Sequence, residues 1–341
     1  MTHGTRPEEA VFDRLATAAL ARYPASRRAE LTFIRHGENA TFRVDDSERS
    51  FALRLARPGY HTAAAIRSEI AWMDALHAAG INTPRPVRGR NGEVVQDIAI
   101  EGRGHIAVAF EWVDGVPLPE ATATDPWIQL GRIMARIHDH GRQWSPPAGF
   151  ERPAWDAQAL VGARPRWGTP CPAGAWSDTD RRLLLAARDA VRHRLSRFGT
   201  SADRFGLLHA DLGFENVLVT NDGTAVVIDF DDCGPSWYLY EFASVLYPLE
   251  NDNRFRDYFA ALVAGYRGSA ELTDDVLAEL PTFLMCRRLA TLGWMFSRPE
   301  TQHAQQQRTG RLRTSPAAAA RFLDWHAANP AEPAAGSMRD R

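Results

Sequence analysis

The spacing of apolar residues changes period twice along the chain. Val11, Leu15, Ala18 and Ala19 recur at helical spacing and predict an amphipathic helix over residues 1–29. Short β-rich runs follow at 31–34, 41–44 and 51–55, parted by polar, turn-forming stretches that begin at Arg35 and Asp45. Helical spacing returns over 62–79, where Ile66, Ile70, Met73 and Leu76 share a face and Gly80 closes the element. A second strand pair is expected at 94–98 and 106–110. Beyond Gly115 helices dominate, at 126–139, at 179–197 and from 237 onward. The stretch 144–178 is rich in Pro, Gly and Trp with weak periodicity, as expected of a long excursion that covers a site.

Strands therefore crowd the first third and helices the remainder. That is a segregated α+β pattern, not the βαβα alternation of a doubly wound sheet. It predicts two lobes: an N-terminal antiparallel sheet lobe with one main helix over 1–113, and a larger, mostly helical lobe over 114–330. A tail at 331–341 follows, and a hinge is expected at 111–115.

Composition narrows the functional classes. The chain has 341 residues, of which 45% are hydrophobic, and a formal net charge of −2. A basic face for nucleic acid is not expected from that balance. No run approaches the roughly 20 apolar residues that span a bilayer. No basic segment followed by an apolar stretch marks a signal peptide. Neither a membrane nor export is expected, and the chain reads as cytoplasmic. Cys171, Cys233 and Cys286 are isolated and odd in number, which argues against a disulfide framework. All 40 of the Lys-plus-Arg positions are arginine. Without lysine there is no Schiff-base amine and no Walker-type phosphate loop. Any phosphate anchor must be arginine, backbone N–H or metal.

The densest signal lies at 207–232. His209, Asp211 and Asn216 fall on a loop that follows an apolar run. Two strand-like runs at 217–219 and 225–228 are joined by Asn221-Asp222-Gly223, a strong turn former. A hairpin there brings Asn216, before the first strand, beside Asp229, after the second. Carboxylate and amide oxygens are hard ligands suited to Mg²⁺, which keeps few protein ligands and fills its shell with phosphate and water. His-x-Asp-x-x-x-x-Asn followed by an Asp at a strand end is the kinase catalytic-loop pattern.

On these residues the chain resembles the aminoglycoside phosphotransferase and choline kinase superfamily, which has a protein-kinase-like fold. It carries His209-Ala-Asp211 where protein kinases have His-Arg-Asp, and Ile228-Asp-Phe-Asp-Asp232 where they have Asp-Phe-Gly. The resemblance implies that Asp211 accepts the proton of a substrate hydroxyl, that His209 braces the loop, and that Asn216 and Asp229 hold magnesium. One of Asp231 and Asp232 then extends the metal shell or faces the substrate. Residues 54–61, 68–72, 152–168 and 287–294 resemble one branch in particular, that of stress response kinase A-like proteins and type II homoserine kinases. Its members phosphorylate small hydroxy compounds or protein Ser/Thr.

The N-terminal third carries a second part of such a site. Phe51-Ala-Leu-Arg54 occupies the place of Val-Ala-Ile-Lys. On a strand Ala52 and Arg54 share a face, which puts Ala52 beside adenine and Arg54 beside the α- and β-phosphates. Glu69, near the apolar face of the next helix, needs a partner, and Arg54 is the natural one. Arginine replaces the lysine usual in the family; it keeps the charge and grips phosphate bidentately. Arg57 is a rival for this role, and a surface strand charge is the alternative reading of Arg54. Gly37 and Asn39 fall where a phosphate-covering turn belongs, although an ordinary hairpin turn has the same composition. Glu111 and Val113 lie at the expected hinge, where backbone groups meet adenine.

Other constellations point less clearly. His138 and His140 are spaced i, i+2 on a helix, which splays them away from a common metal. Trp144, Trp155, Trp167 and Trp176 either stack on a ligand or pack their own loop. Glu241, Glu250, Asp252 and Asp257 either bind a cationic substrate or form a solvated helix face. The expected function is an ATP- and Mg²⁺-dependent O-phosphotransferase acting on a small-molecule hydroxyl: an antibiotic, an amino-alcohol or a related metabolite. The absence of an Ala-Pro-Glu activation segment favours a small acceptor over the first alternative, a protein Ser/Thr kinase of the stress response kinase A type. The second alternative is a non-catalytic nucleotide-binding regulator.

Overall fold

The computed structural model describes residues 7–47, 49–100, 102–121 and 125–330; the tail expected at 331–341 lies outside the described residues. The chain forms two compact units. The first comprises Met1–Ala121, Pro146–Arg152 and Val217–Asp231, the second Thr122–Ser145, Pro153–Asn216 and Asp232–Arg341.

In the first unit, helix α1 (Pro7–Leu20) stops well short of residue 29. Pro24 explains part of this, because its ring disfavours helical backbone at Tyr23. Strands β1 (Glu30–His36), β2 (Ala40–Asp45) and β3 (Ser50–Leu55) form an antiparallel meander. β4 (Pro86–Val87), β5 (Val95–Ile100) and β6 (Arg103–Glu111) complete a sheet of order β1-β2-β3-β6-β4, with β5 also on β6. Strand alternation sends Phe51, Leu53 and Leu55 to one face, where they join Phe42, Val44 and the α1 residues Leu15, Ala16 and Ala19 in a single core. Each large side chain buried there contributes about 1.5–3 kcal/mol.

The other face of β3 carries Ala52 and Arg54. Helix α2 (Ala63–Ala78) supplies Glu69 to Arg54 and starts at Thr62, whose hydroxyl accepts from the Ala65 amide at 3.0 Å. It ends before Gly80, which takes the left-handed backbone at φ +78° that a helix stop favours. Trp72 of α2 meets Phe230 edge-on at 5.6 Å. A small sheet closes the unit: β7 (Gly115–Pro117) pairs with β9 (Val217–Thr220), which pairs with β10 (Ala225–Val227). α3 (Leu118–Ala121) follows β7.

The second unit is mostly helical: α4 (Pro126–Gln143), α5 (Ala157–Val161), α6 (Asp178–Phe198), α7 (Tyr238–Leu246), α8 (Phe255–Arg267), α9 (Asp274–Leu277), α10 (Leu280–Ser297) and α11 (Gln302–Ala328). α4 and α8 cross closely because both carry glycine at the crossing. A Cβ at Gly131 would stand 2.2 Å from the Leu262 carbonyl oxygen, and one at Gly265 would stand 2.1 Å from that of Ile128. β8 (Phe205–Leu208) pairs antiparallel with β11 (Gly234–Trp237), and β8 runs straight into His209. The tryptophans of the 144–178 excursion are used in packing. Trp155 and Trp167 are buried with ring centroids 4.7 Å apart, and Trp155 donates from its indole to the Asp232 carbonyl at 2.6 Å. Among the described residues no helix is long and apolar enough to cross a membrane.

Candidate active site

In the first unit Arg54 and Glu69 form a buried fork. Arg54 Nη1 and Nη2 each donate to one Glu69 carboxylate oxygen at 2.8 Å, and Arg54 is only 6% exposed. Asp231 Oδ1 lies 3.6 Å from Nη1, and the guanidinium stands 5.3 Å from the Phe110 ring centroid. Burial opposes the arginine's charge, but Glu69 and Asp231 outweigh it and raise its pKa above the ordinary value. Asp231 moves the other way from a surface carboxylate. Burial pushes its pKa up despite the attraction of Arg54, with Asp229 adding repulsion.

Asn39 links the β1–β2 turn to this cluster. Its Oδ1 accepts from the Arg57 amide at 3.1 Å, and its side chain offsets a small part of the rise in the Asp231 pKa. Gly37 donates from its backbone to the Asn39 carbonyl at 3.1 Å. Arg57 is occupied by Glu38, Nε to Oε1 at 3.0 Å. Ala52 sits opposite Phe110 and Arg43 in the sheet. Glu111 ends β6, with its amide bonded to the Arg85 carbonyl at 2.8 Å, and Val113 follows two residues later. Asp229 adopts φ +64°, a left-handed conformation uncommon for any residue but glycine, and its carboxylate pairs with Arg35.

In the second unit the loop from His209 to Asn216 is held at several points. Asp211 donates from its backbone to His209 Nδ1 at 3.3 Å, and His209 is fully buried. Asn216 donates from Nδ2 to the Asp211 carbonyl at 2.9 Å. That orientation leaves Asn216 Oδ1 buried and without a hydrogen-bond partner. An orphaned hard oxygen at this point suits a divalent cation, since an unpaired buried acceptor is otherwise costly. That amide oxygen is a hard donor of the kind magnesium takes. Ala210, between His209 and Asp211, is held at φ +70°.

A family model described as "Phosphotransferase enzyme family" matches residues 30–272, which takes in the sheet, α2, the 209–216 loop and the β9–β10 hairpin. The chain belongs to that family. It is a kinase whose acceptor is an alcohol group. A solved structure of a microcompartment-associated aminopropanol kinase is 36% identical, covers 92% of this chain and 98% of its own, and has a TM-score of 0.84. Amicoumacin kinase of Bacillus subtilis is 24% identical over 82% of this chain and 84% of that protein. A homoserine kinase of Azorhizobium caulinodans is 29% identical over 80% and 83%.

Several residues of this phosphotransferase escape a reading of its sequence. Arg287, on α10, is a buried cation that pairs with the Asp211 carboxylate while its Nη1 donates to the Tyr240 hydroxyl at 3.2 Å. Asp211 itself is half-exposed, with 41% of its side chain open. Glu241 is fully buried, so the solvated helix face expected for it is not what the fold builds. Its Oε1 accepts from the Ala210 amide at 2.7 Å, and its Oε2 lies 2.6 Å from His138 Nε2. His138 also meets the Tyr266 hydroxyl at 3.1 Å. Glu250 is spent on buried Arg288, and Asp252 accepts from the Arg254 amide at 2.8 Å. The sequence signal for Glu241 and His138 was their place among apolar neighbours on helices, where an unpaired charge is not tolerated.

Proposed function

We propose that this phosphotransferase moves the γ-phosphate of ATP to the hydroxyl of a small amino-alcohol, with Asp211 as catalytic base. The likeness to the aminopropanol kinase, at 36% identity over 92% of the chain, carries the substrate class. A protein of the same fold, the amicoumacin kinase hAmiN, was solved with AMP-PNP and Ca²⁺, which supports a nucleotide and a divalent cation here. Magnesium is the proposed cation, held by Asn216 and Asp229; when bound it neutralises charge on the β- and γ-phosphates.

The chain's own groups account for the rest. Arg54, held by Glu69, faces the α- and β-phosphates, with Ala52 beside the base. Gly37 and Asn39 cover the phosphates, and the backbone at Glu111 and Val113 meets adenine. Asp211 orients the acceptor hydroxyl and takes its proton; Arg287 occupies Oδ1, which leaves Oδ2 for that task. His209 and Glu241 keep the loop in the conformation that aims Asp211. Phosphoryl transfer of this kind depends mainly on positioning and charge stabilisation. The protein is proposed to work in the cytoplasm.

The test is an ATP-consumption screen with Mg²⁺ over amino-propanols, other amino-alcohols, homoserine, aminoglycosides and a mixed protein fraction. Turnover is expected on an amino-alcohol. Phosphate transfer to protein alone overturns the small-molecule assignment, and full turnover by Asp211→Ala overturns the base.

A further inference from the structure

The phosphate-facing arginine named above is already satisfied. Both terminal nitrogens of Arg54 are spent on Glu69, and its side chain is 7% exposed. Arg57 is held by Glu38. Arg43 of β2 is held by Asp45, Nε to Oδ1 at 2.8 Å. Arg35 is different. Its side chain is 54% exposed, and its partner is Asp229, itself 30% exposed.

The sheet register shows how Arg35 comes to face this way. β1 and β2 pair regularly up to Phe33 opposite Phe42, and then the register shifts so that Arg35 stands opposite Thr41. Thr41 in turn stands opposite Arg54. The bulge absorbs Ile34, which regular pairing would set opposite Thr41. Directly opposed residues in antiparallel strands point to the same face. Arg35, Thr41 and Arg54 thus form one row across β1, β2 and β3, on the face away from the α1 core. Arg35 also lies two residues before Gly37, at the mouth of the turn proposed to cover the phosphates.

We infer that Arg35 is a nucleotide-phosphate ligand that, in the free protein, rests on the carboxylate of the metal ligand Asp229. This deepens the reading above, because it rests on Asp229 as a metal ligand. Arg35 holds Oδ2 of Asp229, and a guanidinium and a divalent cation drawn to one carboxylate repel each other, so cation binding at Asp229 weakens the Arg35 pair. An exposed ion pair is a weak restraint and yields easily. Once released, the guanidinium sits beside the metal-bound end of the nucleotide, where the negative charge is densest. It offers a planar fork that matches phosphate oxygens. Asp229 changes partner from arginine to metal, and Arg35 changes partner from carboxylate to phosphate, so neither charge is left unpaired.

The two halves of this exchange predict opposite effects of one substitution. Mn²⁺ is titrated without nucleotide by electron paramagnetic resonance of the free ion; AMP-PNP is then titrated at saturating Mn²⁺. Arg35→Gln should bind Mn²⁺ several-fold more tightly than the parent, since the competing cation is gone. It should bind AMP-PNP roughly tenfold more weakly, as loss of a charge-assisted phosphate contact requires. Unchanged or weaker Mn²⁺ binding, or unchanged AMP-PNP binding, overturns the inference. Asp229→Asn separates the levels. If it leaves Mn²⁺ binding intact, the metal assignment of Asp229 fails and takes this inference with it. If it abolishes Mn²⁺ binding while Arg35→Gln alters neither titration, the metal assignment stands and the inference alone is overturned.

Discussion

Arg54 and Glu69 are an ion pair that burial makes consequential. Their side chains are 7% and 1% exposed, so neither charge has water to fall back on. Glu69→Gln leaves an arginine buried against a neutral amide, and should cost about 3–5 kcal/mol in denaturant unfolding. Replacing both partners, as Arg54→Met with Glu69→Leu, should cost less than the sum of the single changes, because neither member of the Arg54–Glu69 pair is then left buried without the other. Activity should vanish in each of these variants. Arg287 makes the complementary case at Asp211. Arg287→Met removes the group that fixes one carboxylate oxygen, so kcat should fall about 10–100-fold while KM for ATP stays near the parent value. A parallel rise in KM for ATP would mean instead that Arg287 acts on the nucleotide.

At the scale of elements, the proposed base Asp211 sits on a loop that follows a strand and is backed by helices. β8 delivers His209 directly, and Glu241 of α7 and His138 of α4 hold the strained Ala210 from behind. The α4 brace depends on the close crossing with α8. Gly131→Ala places a methyl where the Leu262 carbonyl now stands, and should destabilise the protein by about 1–3 kcal/mol in a thermal or denaturant melt. The β2–β3 turn of the first unit carries an acid-sensitive tie. Asp46 accepts from the Ser26 hydroxyl and amide, and the hydroxyl contact leads in lowering its pKa below the ordinary carboxylate value. A carboxylate with a depressed folded pKa stabilises above its unfolded value, near about 4, and loses that contribution as pH falls through the folded value. Melting temperature measured from pH 5 downward should therefore fall less steeply for Asp46→Asn than for the parent.

For the whole molecule, the cysteines report on the state of the fold. Cys171, Cys233 and Cys286 are all free and buried. Burial raises the pKa of the Cys171 and Cys286 thiols, so the reactive thiolate is disfavoured as well as shielded. Native protein should react negligibly with a thiol reagent at neutral pH, and denaturation should release all three. Early reaction of a thiol in the native state would show that one of the units opens locally.

The sequence by itself determined the segregation of strands and helices, the place of α2, and the catalytic-loop spacing, because period and turn chemistry are local properties of the chain. It also determined the likeness to the phosphotransferase family, which residues 30–272 match. Arg54 and Glu69 were legible together because strand alternation and helix periodicity each aim a side chain by rule. Tertiary structure alone decided the partners that lie far apart in sequence. Glu241 meets Ala210 from 31 residues away and Arg287 meets Asp211 from 76, and no local pattern links them. It also decided the direction of Arg35. One extra residue in a strand turns every later side chain to the other face, and hydrophobicity along β1 does not reveal where that residue falls.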